Sequence, residues 1–170
     1  MRWPERARLP VFPCSHFVSD HPQRSQSPQD DLGAARTHAI LGAAIEVHRT
    51  LGTGFLERVY QLAMEHELRR RGILHQPEPA VPVWYKGEKL DCTYRPDFIC
   101  FDSVVVELKV LPALTGVETS QVLNSLRATG HELALLLNFG TPVLEKRRFV
   151  MAQPGGATVV SASSADGFGT

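Results

Sequence analysis

Val104-Val105-Val106-Glu107-Leu108-Lys109-Val110-Leu111 holds six apolar residues and two charged ones. A nearly continuous run of this kind reads as a strand deep in a sheet, covered on both faces. Side chains alternate along a strand, so Glu107 and Lys109 project from one face and Leu108 from the other. Burying two unpaired charges carries a desolvation cost of several kcal/mol each. An isolated Glu-x-Lys is ordinarily a structural pair at a sheet surface. Its company decides whether this one is more.

In Tyr94-Arg95-Pro96-Asp97-Phe98-Ile99, Asp97 stands ten residues before Glu107. The segments 97–101 and 103–111 read as consecutive strands of a hairpin with a tight turn at Asp102-Ser103. With Phe101-Asp102-Ser103 as the loop, Asp97 falls directly opposite Glu107 on the same face. A strict two-residue loop would pair Asp97 with Leu108 and turn its carboxylate away. A site at Asp97 therefore requires a three-residue loop or a bulge. Two carboxylates a cross-strand distance apart repel, and a proton or a cation must relieve that repulsion. Hard oxygen donors with no neighbouring His-Cys set suit Mg²⁺ or Mn²⁺ better than zinc. Such an ion polarises a phosphate oxygen and acidifies a bound water. Lys109 beside it could orient or help deprotonate that water, or steady the charge of the transition state. These are the parts of metal-assisted phosphodiester cleavage.

Outward from this strand the apolar period changes. Ile40, Leu41, Ala44, Ile45, Val47 and Leu51 suit a first helix stopped near Gly52. Leu56, Val59, Tyr60, Ala63, Met64 and Leu68 suit a second, over 55–71, ended by Gly72. Segments 80–85 and 90–94 read as strands parted by Lys86-Gly87, 115–129 as a third helix, 131–139 as a buried strand and 147–151 as a last one. A strand that follows a helical crossover implies a mixed sheet with helices packed on it.

The 170 residues are 43% hydrophobic, enough for one domain with a real core. Lys plus Arg and Asp plus Glu number 18 each, so net charge gives no sign of a nucleic-acid partner. Cys14, Cys92 and Cys100 imply neither a disulfide framework nor a zinc knuckle, and a reducing cytoplasm fits them best. Cys92 and Cys100 read as core-filling thiols. The longest apolar run, Leu133 to Leu137, is far too short for a membrane span. Residues 1–30, rich in Pro, Arg, Ser and Gln, read as a disordered extension, with an organellar address or a start codon set too far upstream as alternatives. The domain proper covers 31–152, and 153–170 reads as a flexible tail. Arg69-Arg70-Arg71 and Lys146-Arg147-Arg148 could grip a phosphate backbone, although short basic runs are usually solvated faces.

Pro96-Asp97, nine intervening residues and Glu107-Leu108-Lys109 resemble the PD-(D/E)xK signature of restriction-endonuclease-like folds. Gly54 through Glu57 to Tyr60 resembles the namesake motif of the GxxExxY proteins in that superfamily. Glu46-Val47-His48-Arg49-x-Leu51-Gly52, Gln121-x-Leu123-Asn124, Ala128-Thr129-Gly130 and Leu137-Asn138-Phe139-Gly140 look like the same family, over roughly 35–151. The resemblance implies an α/β fold with a restriction-endonuclease-like αβββαβ core, a central mixed sheet flanked by helices and an additional N-terminal helix. It implies Asp97 and Glu107 as metal ligands, Lys109 as the catalytic lysine and Glu57 as an extra acid from the leading helix, binding metal through water or completing a second site. Gln121 corresponds to the helix glutamine of a Q-x-x-x-Y element, but Ser125 stands where its tyrosine is expected. On local grounds Glu57 complements a helix dipole and Gln121 is solvated. His48 reads as hydrogen-bonded at a helix end, and Tyr60 as helix-to-sheet packing.

The function expected from these residues is a Mg²⁺- or Mn²⁺-dependent nuclease acting on DNA, with no membrane partner. Its oligomeric state is left open, a homodimer included. The alternative is a non-catalytic module on a nuclease scaffold that binds nucleic acid or protein.

Overall fold

The computed structural model describes residues 28–152 and 156–158, with side chains from Leu32 to Met151. Most of the expected N-terminal extension and C-terminal tail lies outside these residues. Helix α1 spans Pro28–Leu51, beginning earlier than its apolar pattern indicated. Gly52 takes the left-handed conformation (φ 66°), and its N–H returns to the His48 carbonyl at 2.8 Å, which ends the helix. Helix α2 spans Glu57–Arg70, two residues shorter at its start than expected.

Strands β1 (His75–Pro77), β4 (Phe98–Cys100), β5 (Val104–Lys109), β6 (Leu133–Asn138), β7 (Glu145–Ala152) and β8 (Gly156–Thr158) form one sheet in the order β1-β4-β5-β6-β7-β8. Strand β8 falls where a flexible tail was expected, paired antiparallel to β7. Helix α3 (Gly116–Thr129) is the crossover that makes β5 and β6 parallel; the other neighbours in this sheet are antiparallel. This is the α/β, restriction-endonuclease-like arrangement, a mixed sheet with helices on its faces.

One departure is topological. Strands β2 (Val81–Tyr85) and β3 (Glu88–Tyr94) were expected among the sheet strands, but they pair only with each other. The first strand of the αβββαβ core is instead the short His75–Pro77 segment, and the β2–β3 ribbon is inserted between it and β4. Lys86 and Gly87 both have positive φ (50° and 86°) at its tip, matching the right-handed twist of a two-residue hairpin turn.

The buried β5 residues serve both layers. Val104, Val106 and Leu108 pack against Ile40, Ala44, Val47, Tyr60, Met64 and Leu68 of α1 and α2. Val105 packs on the opposite face with Val122 and Leu126 of α3. Ile45, Leu56 and Val59, counted among the helical apolar positions, are exposed. Tyr60 is fully buried, stacks on Phe139 with centroids 4.8 Å apart, and donates its hydroxyl to the Gly52 carbonyl at 2.8 Å. His48 Nε2 lies 2.9 Å from the Thr141 carbonyl. Both residues therefore have the local roles their positions suggested.

Candidate active site

The β4–β5 connection fixes the site. Phe98 faces Val106 and Cys100 faces Val104, leaving Phe101-Asp102-Ser103 as a three-residue loop. Phe101 and Asp102 both take positive φ, and the Ser103 N–H closes onto the Cys100 carbonyl at 3.1 Å. Continued one step, this register sets Asp97 against Glu107, the pairing that the sequence required. Strand β4 begins only at Phe98, after Pro96. There the Leu108 N–H donates to Asp97 Oδ2 at 2.7 Å, and Gln61 Nε2 donates to Oδ1 at 3.2 Å.

Glu107 is 2% exposed, on the face covered by α3. Its Oε1 lies 2.6 Å from Ser125 Oγ and 3.4 Å from the Tyr94 hydroxyl, and those two hydroxyl oxygens are 2.7 Å apart. A serine hydroxyl has a single proton to donate. When Glu107 is ionised, the stronger bond sends that proton to the carboxylate, so Tyr94 donates to Ser125. The Gln121 side chain also acts on the Tyr94 hydroxyl, lowering its pKa against burial. Tyr94, from the end of β3, thus brings a phenol hydroxyl to Ser125, where a tyrosine had been expected.

Burial pushes the Glu107 carboxyl up to about 7; the nearby Asp97 charge adds to the shift, while the Ser125 bond and Lys109 oppose it. Asp97 is also raised, chiefly by burial, against the Leu108 N–H bond and the Lys109 charge. Burial likewise raises Tyr94. Lys109 lies at the end of β5, half-buried, and its charge acts on Asp97, Glu107 and Glu118 alike. Asn138 pins that strand end: its Oδ1 accepts from the Leu111 N–H and its Nδ2 donates to the Leu111 carbonyl, both at 2.9 Å.

Two expected residues sit less centrally. Glu57 is exposed on the first turn of α2, and its charge contributes to raising Asp97. Among the described residues no three His, Cys, Asp or Glu side chains gather closely enough to hold a metal ion, so Glu57 does not join Asp97 and Glu107 in one cluster. Gln121 is exposed and reaches Tyr94 rather than either acid. Gln61, Tyr94 and Ser125 were not singled out as site residues from the sequence. Gln61 lies one turn beyond Glu57 and is held by Arg58 Nη1 at 2.6 Å, and this i, i+4 placement was its only sequence signal.

The other candidates resolve simply. Cys100 is buried, its thiol pushed up to about 12, whereas Cys92 is exposed on β3 and fills no core. Arg69 pairs with Glu65 at 2.7 Å, and Arg70 and Arg71 share Glu67 at 3.3 and 2.6 Å, so two carboxylates of α2 offset all but one of this run's charges. A cavity of about 440 Å³ opens at the other end of β5, lined by Arg36, Asp102, Ser103 and His131 among others, and contains none of the acids above. No helix among the described residues is long and apolar enough to cross a membrane.

The family model of the PD-(D/E)XK nuclease superfamily matches residues 34–149. The chain belongs to that superfamily. No curated protein and no solved structure matches it.

The donor set fits the divalent ion such nucleases typically use. Mg²⁺ favours one or two carboxylates, completing its shell with water and substrate phosphate. Asp97 and Glu107 are two hard-oxygen donors raised by burial, an arrangement that a cation relieves.

Proposed function

We propose that the protein is a Mg²⁺-dependent nuclease that hydrolyses DNA phosphodiester bonds, with Asp97 and Glu107 as the ion's ligands. The observation that carries this reading is the register of β4 on β5, which turns both acids toward one place beside Lys109. A bound ion would polarise the scissile phosphate and acidify a water. Leu108 and Gln61 orient the Asp97 carboxylate, and Ser125, itself bonded to Tyr94, holds one oxygen of Glu107 so that Oε2 is available to the ion. Lys109 would orient the attacking water or steady charge on the phosphate oxygens. Glu57 would add an acid at the rim and Gln121 would fix Tyr94. The run from Gly54 through Glu57 to Tyr60 supports placing the chain among the GxxExxY proteins.

The test is cleavage of linear, nicked and single-stranded DNA with Mg²⁺ or Mn²⁺ by the parent and by Asp97→Asn. A loss of at least 100-fold is expected in the variant, and equal activity in the two would rule the assignment out. The second reading, a non-catalytic binding module, draws on Ser125 standing where the tyrosine of the Q-x-x-x-Y element was expected. It predicts salt-dependent DNA binding with no uptake of Mn²⁺ in a calorimetric titration.

A further inference from the structure

The β2–β3 ribbon stands outside the main sheet, and every residue from Trp84 to Thr93 is exposed. A two-stranded ribbon is marginal in water on its own. Even so, this one presents Trp84 and Tyr85 near its tip, 62% and 60% exposed. Lysines accompany both rings. Lys89 is the cross-strand partner of Trp84, and the Lys86 ammonium lies 5.4 Å from the Tyr85 ring centroid. At its other end β3 runs directly into the site, because its last residue, Tyr94, meets Ser125 and Glu107.

We infer that the β2–β3 ribbon is a binding arm that leads a single strand of nucleic acid into the Asp97–Glu107 site, the strand turning over the tip with its bases stacking on Tyr85 on one face and on Trp84 on the other, since consecutive strand side chains point to opposite faces. This rests on the nuclease reading and names its substrate as unpaired. Three observations favour that occupant. An exposed indole and phenol offer flat faces that only unstacked bases can use, since the bases of a duplex are already stacked on each other. The seven residues of β3 extend about 20 Å from Tyr94, on the order of six stacked nucleotides at ~3.4 Å each. The arm is also continuous with the acids through Tyr94, so it extends outward from the site itself. Lys86 and Lys89 are balanced by Glu88 and Asp91, so the arm's grip comes from stacking more than from charge. Its share of the affinity depends only weakly on salt.

The test is binding of a labelled oligothymidylate, and of a duplex of equal length, to the full chain in the presence of a chelator that silences cleavage. Trp84→Ala and Tyr85→Ala should each weaken single-strand binding about five- to 100-fold. Trp84→Phe should restore most of the loss, because a ring of any kind can stack, and Mn²⁺ affinity should equal the parent's in all three variants. Cleavage of single strands should fall through KM, with kcat at saturation nearly unchanged. Unaltered single-strand binding in both alanine variants would overturn the proposal, as would tighter binding of the duplex than of the single strand by the parent. The two readings fail separately: stacking-dependent binding without cleavage would remove the nuclease and keep the arm, whereas cleavage indifferent to Trp84 and Tyr85 would do the reverse.

Discussion

Ser125 Oγ lies 2.6 Å from Glu107 Oε1, both groups buried between α3 and the sheet. This bond lowers the Glu107 pKa against the burial that raises it, so it favours the ionised form that a cation needs. Ser125→Ala removes the donor and strands a buried carboxylate oxygen. The expected result is a weakening of Mn²⁺ affinity by roughly 10- to 100-fold, the usual effect of deleting an orienting partner of a metal ligand. Calorimetric titration at pH 8 would measure it. Affinity equal to the parent's would show that the hydroxyl serves packing alone.

Gly140 follows β6 at the point where the chain crosses the end of β5. A Cβ built there would overlap the Leu111 carbonyl oxygen and lie 2.5 Å from the Leu111 nitrogen, both rigid backbone atoms. Gly140→Ala must therefore push the Leu111 backbone away, which also disturbs the Asn138 side-chain bonds to Leu111. Overpacking of this kind costs about 1–3 kcal/mol. Thermal denaturation should record the loss. Because Lys109 is two residues away, cleavage under conditions where the variant remains folded should fall as well.

Glu107 gives a dependence on pH. Its carboxyl is raised to about 7 in the folded chain, above an ordinary value of 4.5. The folded state therefore holds this proton more tightly than the unfolded state does. The associated stability is fully present below about pH 4.5 and is lost as pH rises through 7. Converted directly, the shift is on the order of 3 kcal/mol. In a chelator the melting temperature should fall from pH 5 to pH 8 in the parent, and much less in Glu107→Gln. Mn²⁺ at pH 8 should recover the parent's loss, since a ligand of the folded state stabilises it by mass action. A parent profile as flat as the variant's would contradict this account.

Much of the fold was legible because it depends on short-range pattern. The β5 run declared a doubly covered strand, and alternation alone set Glu107 and Lys109 on one side. The loop length entered only as a condition, which the β4–β5 register meets with positive φ at Phe101 and Asp102; Asp102 is a residue type common in such turns, but Phe101 is not. Strand β1 was not legible, being three residues long with Pro77 at its end. The departure of β2 and β3 from the main sheet was equally hidden, because ribbon and sheet strands share the same alternation. Of the site, the strand residues could be read, but their supports could not. Gln61 reaches Asp97 across 36 positions and Ser125 reaches Tyr94 across 31, and spacing alone does not reveal such meetings. The exposure of Cys92 belongs with these, since it follows from where the ribbon stands.

The parallel pairing of β5 with β6 bears on how the molecule comes into being. Antiparallel neighbours can zip from a nearby turn, but this pair must wait for the α3 crossover to close a long loop. A growing polypeptide that has not yet reached Asn138 already contains the whole acid-and-lysine signature, yet β5 still lacks the partner strand on its other side. The hydrolytic centre is therefore a late product of maturation, and truncated chains should carry its letters without its chemistry.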